Sequence, residues 1–338
     1  MKNWKKLALL AACCSLALTL SACGTKTGPA SSAASKAAAG DKKITVYMPS
    51  PAGLSSKLAK DYEKKTGTKV EIFQGTTGEI LARLEAEKNN QTADVVVLAS
   101  WSDGLSLKKK GVLVPYKPKD ADKMVMDFMD KDNELTGYSA SAVGVIYNKN
   151  VIPSLSADWS ELSDPAYKDN LAIPDPQKSG ACKDFLAGYV NAKGWDALEG
   201  MAKNGMIVPG ANKAALEAVT TGEKGILVAG VDYNAYTAMK KGEPLAIYYP
   251  KSGTIVNPRP AMIMKNAPHE EEAKKFMDYL ISDDAQKLVA DAYLIPGRQD
   301  IEAKGTPLSK IPQIHPDWEK MMAIASDTAA KLNELCRK

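Results

Sequence analysis

Three short segments of this chain combine small and hydroxyl-bearing residues in a pattern that could grip an anion: Gly75-Thr76-Thr77-Gly78, Ala99-Ser100-Trp101-Ser102 and Pro176-Gln177-Lys178-Ser179-Gly180-Ala181. Each follows an apolar, strand-like run and opens a segment with helical periodicity. At such a junction the N–H groups of the first helical turn have no intrahelical partner, and small side chains let a ligand reach them. Taken singly, Thr77, Ser102 and Ser179 read equally well as helix caps. All three loops fall at the carboxyl ends of predicted strands, where α/β sheets bind ligands, and this points to a shared site.

Other residues invite chemistry less clearly. Trp101 follows a buried strand and either floors a pocket or packs in the core. Asp232-Tyr233 occupies the corresponding place after Gly225–Gly230, offering a carboxylate and a phenol or merely a cap and a packed ring. Tyr233, Tyr236 and the pair Tyr248-Tyr249 raise the possibility of ferric iron, which hard phenolate oxygens bind. Strand alternation across Leu245–Pro250 sends Tyr248 and Tyr249 to opposite faces, against a two-tyrosine clamp there. Cys182 near a helix start could have an activated thiol, yet no histidine neighbours it in sequence, so a structural cysteine is the better reading. His269 and His315 lie far apart in polar surroundings, as surface residues do. No GxSxG elbow, phosphate-loop lysine, dinucleotide fingerprint or HExxH motif occurs, so a secreted serine or cysteine hydrolase is a weak alternative and no enzyme is expected.

The elements that must carry these loops alternate. Ile44–Tyr47 reads as a strand, Leu54–Tyr62 as a helix ending at Thr66-Gly67, Val70–Phe73 as a strand, Ile80–Ala86 as a helix and Asp94–Leu98 as a strand buried on both faces. Strand, helix, strand, helix, strand implies a parallel α/β sheet. Gly144–Tyr147, Leu171–Ile173 and Gly225–Ala229 read as further strands, with helices over Cys182–Val190, Glu270–Leu280, Asp284–Tyr293 and Trp318–Leu335, enough for a second α/β unit. No internal repeat is present.

The amino terminus says where the protein works. Lys2, Lys5 and Lys6 precede an apolar stretch, Leu7–Leu20, too short to span a bilayer comfortably and followed by Ser21-Ala22-Cys23-Gly24. This run resembles the lipobox of bacterial lipoproteins. The resemblance implies that residues 1–22 are a removed signal peptide and that Cys23 becomes the lipidated first residue, anchoring the protein outside the cytoplasm. Residues 23–42 are small and polar, a flexible tether whose coil would span roughly 25 Å. Functions fed by cytosolic ATP or reduced cofactors are thereby excluded. Loss of three lysines and no acid takes the formal charge from +4 to +1, without the concentrated basic face that nucleic acid needs. Of the five cysteines only Cys182 and Cys336 belong to the body, so a disulfide framework is excluded, though one bridge is not.

Several stretches together resemble a known family. Lys57–Val70, Ala93–Val96, Lys109–Tyr116, Val145–Lys149, Asn257–Ala261 and Ser282–Gln286 are similar, in order and spacing, to substrate-binding lipoproteins of ABC importers. The branch resembled includes ferric-iron, phosphonate, sugar-phosphate and thiamine binders. It implies an α/β, two-lobed periplasmic-binding-protein fold (type II), with lobes joined by two crossing strands near Tyr138–Ser141 and Ala246–Lys251. Lobe 1 would comprise residues 43–138 plus 250–338, and lobe 2 residues 139–249. Iron-binding members carry adjacent tyrosines after the strand matching Gly225–Gly230, where this chain has Val231-Asp232-Tyr233-Asn234-Ala235-Tyr236. That departure favours an anionic organic solute, a phosphate ester or phosphonate, over Fe3+ as transported ligand held by Tyr233 and Tyr236. The expected ligand-binding residues are Ser50, Thr76, Thr77, Ser100, Trp101, Ser139, Ser179, Gly180, Ala181, Asp232, Tyr233 and Arg259, without resident metal or cofactor. The expected partners are a small-molecule solute, an ABC permease with its ATPase, and the membrane through a lipid anchor; the protein itself is expected to be a monomer and to bind no nucleic acid.

Overall fold

Runs of β-branched residues become strands because such side chains pack well on a pleated surface. A computed structural model describes residues 42–337; the signal segment, Cys23 and the tether up to residue 41 lie outside the described residues. In chain order the elements are β1 (Lys43–Met48), α1 (Ala52–Thr66), β2 (Lys69–Gln74), α2 (Thr77–Ala86), β3 (Val95–Val97), α3 (Trp101–Lys109), β4 (Leu113–Val114) and β5 (Thr136–Asn148). There follow β6 (Leu171–Ala172), α4 (Gly180–Lys193), α5 (Asp196–Lys203), α6 (Asn212–Thr220), β7 (Ile226–Val231), α7 (Asp232–Lys240) and β8 (Leu245–Tyr248). The chain closes with β9 (Val256–Met264), α8 (Glu270–Leu280), α9 (Asp283–Asp291), β10 (Ile295–Pro296) and α10 (Trp318–Leu335). Helix α1 stops at Gly67, whose φ of +71° suits glycine and whose N–H donates to the Glu63 carbonyl. Helices α5 and α6 are not anticipated by the periodicity reading; both are short.

The main path through the sheet is β2-β1-β3-β9-β5-β7-β6. β1 pairs parallel with β2 and β3, β6 pairs parallel with β7, and the central pairs β3–β9, β9–β5 and β5–β7 are antiparallel. Period-2 alternation divides each strand between two cores: Val46, Val95 and Val97 join one apolar cluster, while Tyr47, Val96 and Leu98 join another. Both faces are covered, which explains why Asp94–Leu98 is apolar without interruption.

Strand β5 belongs to both halves of the sheet. Its residues 136–142 pair with β9, and its residues 143–148 pair with β7 and β8. The partner change falls between Ala142 and Val143, just beyond the stretch 138–141. β8 still pairs with β5 at Tyr248, so the return toward β9 runs through residues 249–255 rather than 246–251. Helix α10 lies along α4 and α3, and its Trp318 ring packs 6.3 Å from that of Trp101. No described helix is long and apolar enough to cross a membrane.

Candidate functional site

Four helices begin at one hollow, and three of them, α2, α4 and α7, are fed by strands whose ends converge there. A cavity of 420 Å³ is lined by Pro49 after β1, Gln74 after β2 and Ala99 after β3, by Gly75, Thr76, Thr77 and Glu79 of the α2 start, and by Lys178, Ser179 and Gly180 of the α4 start. Asn212 and Lys213 of α6 and Tyr233 and Asn234 of α7 close the other side. Thr76, Thr77, Ser179, Gly180 and Tyr233, read from sequence as ligand contacts, therefore do meet.

Capping and lining prove to be compatible roles. Thr76 Oγ1 accepts from the Glu79 N–H at 3.2 Å while the Glu79 carboxylate accepts from the Thr76 N–H at 2.7 Å, a reciprocal capping box. Those hydrogen bonds hold the Glu79 carboxyl below its usual range. Thr77 Oγ1 accepts from the Ala99 N–H at 3.1 Å, fastening the α2 start to the end of β3. Ser179 Oγ accepts from the Cys182 N–H at 3.2 Å.

The third loop behaves differently. Ser100 Oγ donates to Asp184 Oδ1 at 2.9 Å, and the Trp101 N–H donates to Asp184 Oδ2 at 2.8 Å. The anion at the α3 amino terminus is thus a carboxylate supplied by α4 itself. Burial, helped by the nearby charge of Asp103, pushes the Asp184 carboxyl up to about 7. Beside it Lys183 Nζ bridges both Asp103 carboxylate oxygens at 2.9 Å. Ser100 and Trp101 do not line the cavity, and the Trp101 ring is core. Ser50 is likewise buried, its Oγ 2.5 Å from the Tyr138 hydroxyl.

Next to the cavity lies a buried polar floor. In the β5–β9 ladder Ser139 stands opposite Arg259 and Ser141 opposite Asn257, so by strand alternation these four side chains share one face. All are at most 1 % exposed. Ser139 Oγ, Ser141 Oγ, Asn257 Oδ1 and Arg259 Nε have no hydrogen-bond partner. Arg259 Nη2 donates to the Pro49 carbonyl at 3.2 Å, and the guanidinium lies 5.8 Å from the centre of the Tyr233 ring. Among the described residues no carboxylate forms an ion pair with Arg259. Asn257 Nδ2 reaches the Ala181 carbonyl at 3.5 Å, which ties the floor to the α4 start. Pro49 and Tyr233 both line the cavity and contact Arg259, so the floor adjoins the cavity.

A buried, unpaired cation is costly, as are orphaned hydroxyls, each worth about 1–3 kcal/mol of lost hydration. Three of the four atoms, Ser139 Oγ, Ser141 Oγ and Arg259 Nε, are donors on one face of one ladder that a single anion would satisfy; the fourth, Asn257 Oδ1, is an acceptor. Ser139 and Arg259 were expected; Ser141 and Asn257 were not.

Asp232 is not free for a ligand. Its carboxylate accepts from the N–H groups of Ala142 and Tyr233, at 3.1 and 2.8 Å, and from the Tyr249 hydroxyl at 3.3 Å, and burial pushes its carboxyl up to about 7. It pins the α7 start to β5 and so holds Tyr233 in place. The Tyr236 hydroxyl faces away, 2.6 Å from Thr306 Oγ1 and 3.3 Å from that of Tyr249. Of Tyr233 and Tyr236, only Tyr233 lines the cavity. Cys182 and Cys336 are free thiols; Cys182 is fully buried, donates to the Pro174 carbonyl at 3.3 Å and has its pKa raised by burial, the opposite of an activated nucleophile.

Residues 90–323 match the bacterial extracellular solute-binding protein family. Iron uptake protein A1 of Synechocystis sp. is 26% identical over 74% of this chain and 74% of its own length. Among solved structures, the periplasmic binding protein AfuA from Actinobacillus pleuropneumoniae, with fructose-6-phosphate bound, superposes with a TM-score of 0.79 at 22% identity, covering 87% of this chain and 97% of AfuA. Iron-bound HitA from Pseudomonas aeruginosa superposes with a TM-score of 0.77 at 22% identity, covering 86% and 99%. The chain therefore belongs to the bacterial extracellular solute-binding proteins, as a two-lobed type II receptor of an ABC importer that binds a small solute outside the cytoplasm for a membrane permease and performs no catalysis.

Proposed function

We propose that the solute is a small anion of the phosphate-ester or phosphonate type, with its charged head on the floor formed by Ser139, Ser141 and Arg259 and its body in the 420 Å³ cavity above. The observation that carries this reading is Arg259, a guanidinium 1 % exposed and without a carboxylate partner. Guanidinium binds phosphoryl oxygens through planar, charge-assisted hydrogen bonds, and serine hydroxyls donate to the same oxygens. Helix amino termini at α2 and α4 add N–H groups around the cavity. In a site closed to water these contacts are stronger than they would be in bulk solvent.

The proposed division puts residues 43–138 plus 250–338 in lobe 1 and residues 139–249 in lobe 2, closing about β5 and the return through 249–255. The switch of β5 between pairing partners supports it. Delivery from a monomer tethered by lipid on Cys23 is part of the same proposal. Labelled palmitate should enter the parent chain in a bacterial host and be absent from Cys23→Ala; equal labelling would remove the anchor.

Iron is the competing cargo, because Tyr233 lines the cavity and a relative of this chain is an iron uptake protein. One experiment separates the two. Metal-free protein is titrated with phosphate esters and phosphonates while its melting temperature is followed, and separately with Fe(III) while its visible spectrum is followed. An anion at 100 times its dissociation constant stabilises by about 2.7 kcal/mol. A phenolate-to-iron band with no melting shift from any anion would replace the anion reading by the iron one.

A further inference from the structure

Resting on that anion reading, the floor and cavity also present acceptors, which an anionic head cannot satisfy. Asn257 Nδ2 points to the Ala181 carbonyl at 3.5 Å, while Oδ1 of the same amide is buried without a partner on the ladder face it shares with Ser139, Ser141 and Arg259. Asn212, at the start of α6 in the cavity wall, likewise holds its Oδ1 buried and unpartnered. A carbonyl oxygen accepts and never donates, so a bare anion leaves both atoms orphaned and repels them. At the cavity mouth Glu79 adds the only carboxylate among the lining residues.

We propose that Asn257 and Asn212 make this receptor selective for anionic solutes that also carry hydroxyl or ammonium donors, that is, for polar-tailed phosphoryl compounds over alkyl ones. A site built to hydrogen-bond a substrate group rejects the analogue lacking it far more strongly than an apolar pocket discriminates by size, because its own polar atoms are then left unpaired. Asn257 reads a donor next to the head, and Asn212 reads one further along the tail.

The test is calorimetry on the full body of the protein at pH 8, where phosphate monoesters are dianions and carry no P–OH donor of their own. Two matched pairs are compared: glycerol 3-phosphate with propyl phosphate, and phosphoethanolamine with ethyl phosphate. At least one polar-tailed member should bind tenfold or more tightly than its alkyl partner. In Asn212→Leu that ratio should shrink at least threefold through loss of affinity for the polar member alone. Asn257→Ala should act in the same direction, with Asn212→Leu as the safeguard should the buried substitution not fold. Equal binding within each pair, or ratios that survive Asn212→Leu, would overturn the selectivity. Binding of none of the four compounds at millimolar concentration would instead overturn the anion reading beneath it.

Discussion

Arg259→Met is expected to bind phosphate esters at least 100-fold more weakly than the parent chain, while melting higher when no ligand is present. Both effects come from one fact: the guanidinium is buried, donates to the Pro49 carbonyl and lies against Tyr233, and has no carboxylate in ion-pair contact among the described residues. Losing one partner of a buried, hydrogen-bonded charge pair costs about 2–5 kcal/mol of binding, and 100-fold is about 2.7 kcal/mol. Without ligand the sign reverses. Exchanging a buried ionic group for an apolar one of similar volume is often neutral or stabilising by about 1–4 kcal/mol, and each kcal/mol moves the melting point of a chain of this size by about 2–4 °C. Methionine is flexible enough to fill the vacated stem without strain. Calorimetry and a melting curve on the same preparation read both. A variant that binds within threefold of the parent, or that melts several degrees lower, would make Arg259 a structural residue.

How far the sequence reveals such a site depends on the range of the interactions that build it. The loops at Thr76 and Ser179 are legible because a strand end, a hydroxyl and a helix start are neighbours in the chain, and the capping box at Thr76 and Glu79 is itself a local pattern. The alternation of strands and helices is legible for the same reason. The floor is not, because Ser141 and Asn257 acquire meaning only when β5 and β9 pair in register. Nothing in Asn257-Pro258-Arg259-Pro260 marks which side chains will share a face with Ser139. The loop at Ser100 and Trp101 shows the converse error. Its local chemistry matches the other two loops, but the carboxylate of Asp184, contributed from α4, already occupies the N–H group that a ligand would need. Likewise Tyr233 and Tyr236 lie close in sequence, yet Tyr233 lines the cavity while the Tyr236 hydroxyl meets Thr306. Asn212 escaped notice because α6 has no capping side chain to announce its start.

Gly180→Val should weaken solute binding by 100-fold or more, beyond what its own place in the cavity wall accounts for, by holding the two lobes apart. A Cβ at position 180 would lie 2.8 Å from both the carbonyl carbon and oxygen of Ala99 and 2.9 Å from Ser100 Cβ. These are mostly backbone atoms at the end of β3, and the packed sheet behind them cannot yield. Overpacking a rigid contact costs about 1–3 kcal/mol, and valine adds two methyl groups to the clash. The cheapest relief is for α4 to swing away from the α3 start. That movement also pulls Asp184 from the Ser100 hydroxyl and the Trp101 N–H, and Lys183 from Asp103, so the contact fails as a unit. Apparent affinity falls by the fraction of molecules still able to close, so a closed fraction below about 1% gives the stated loss. Gly78→Val attacks the same approach from the α2 side, where a Cβ would sit 2.5 Å from the Gln177 carbonyl oxygen. Small-angle scattering should show the parent contracting on ligand addition and Gly180→Val remaining extended, with both chains equally helical by circular dichroism. If Gly180→Val binds within threefold of the parent and contracts as fully, the α3–α4 contact is not required for capture. Closure would then turn on the β5–β9 floor alone.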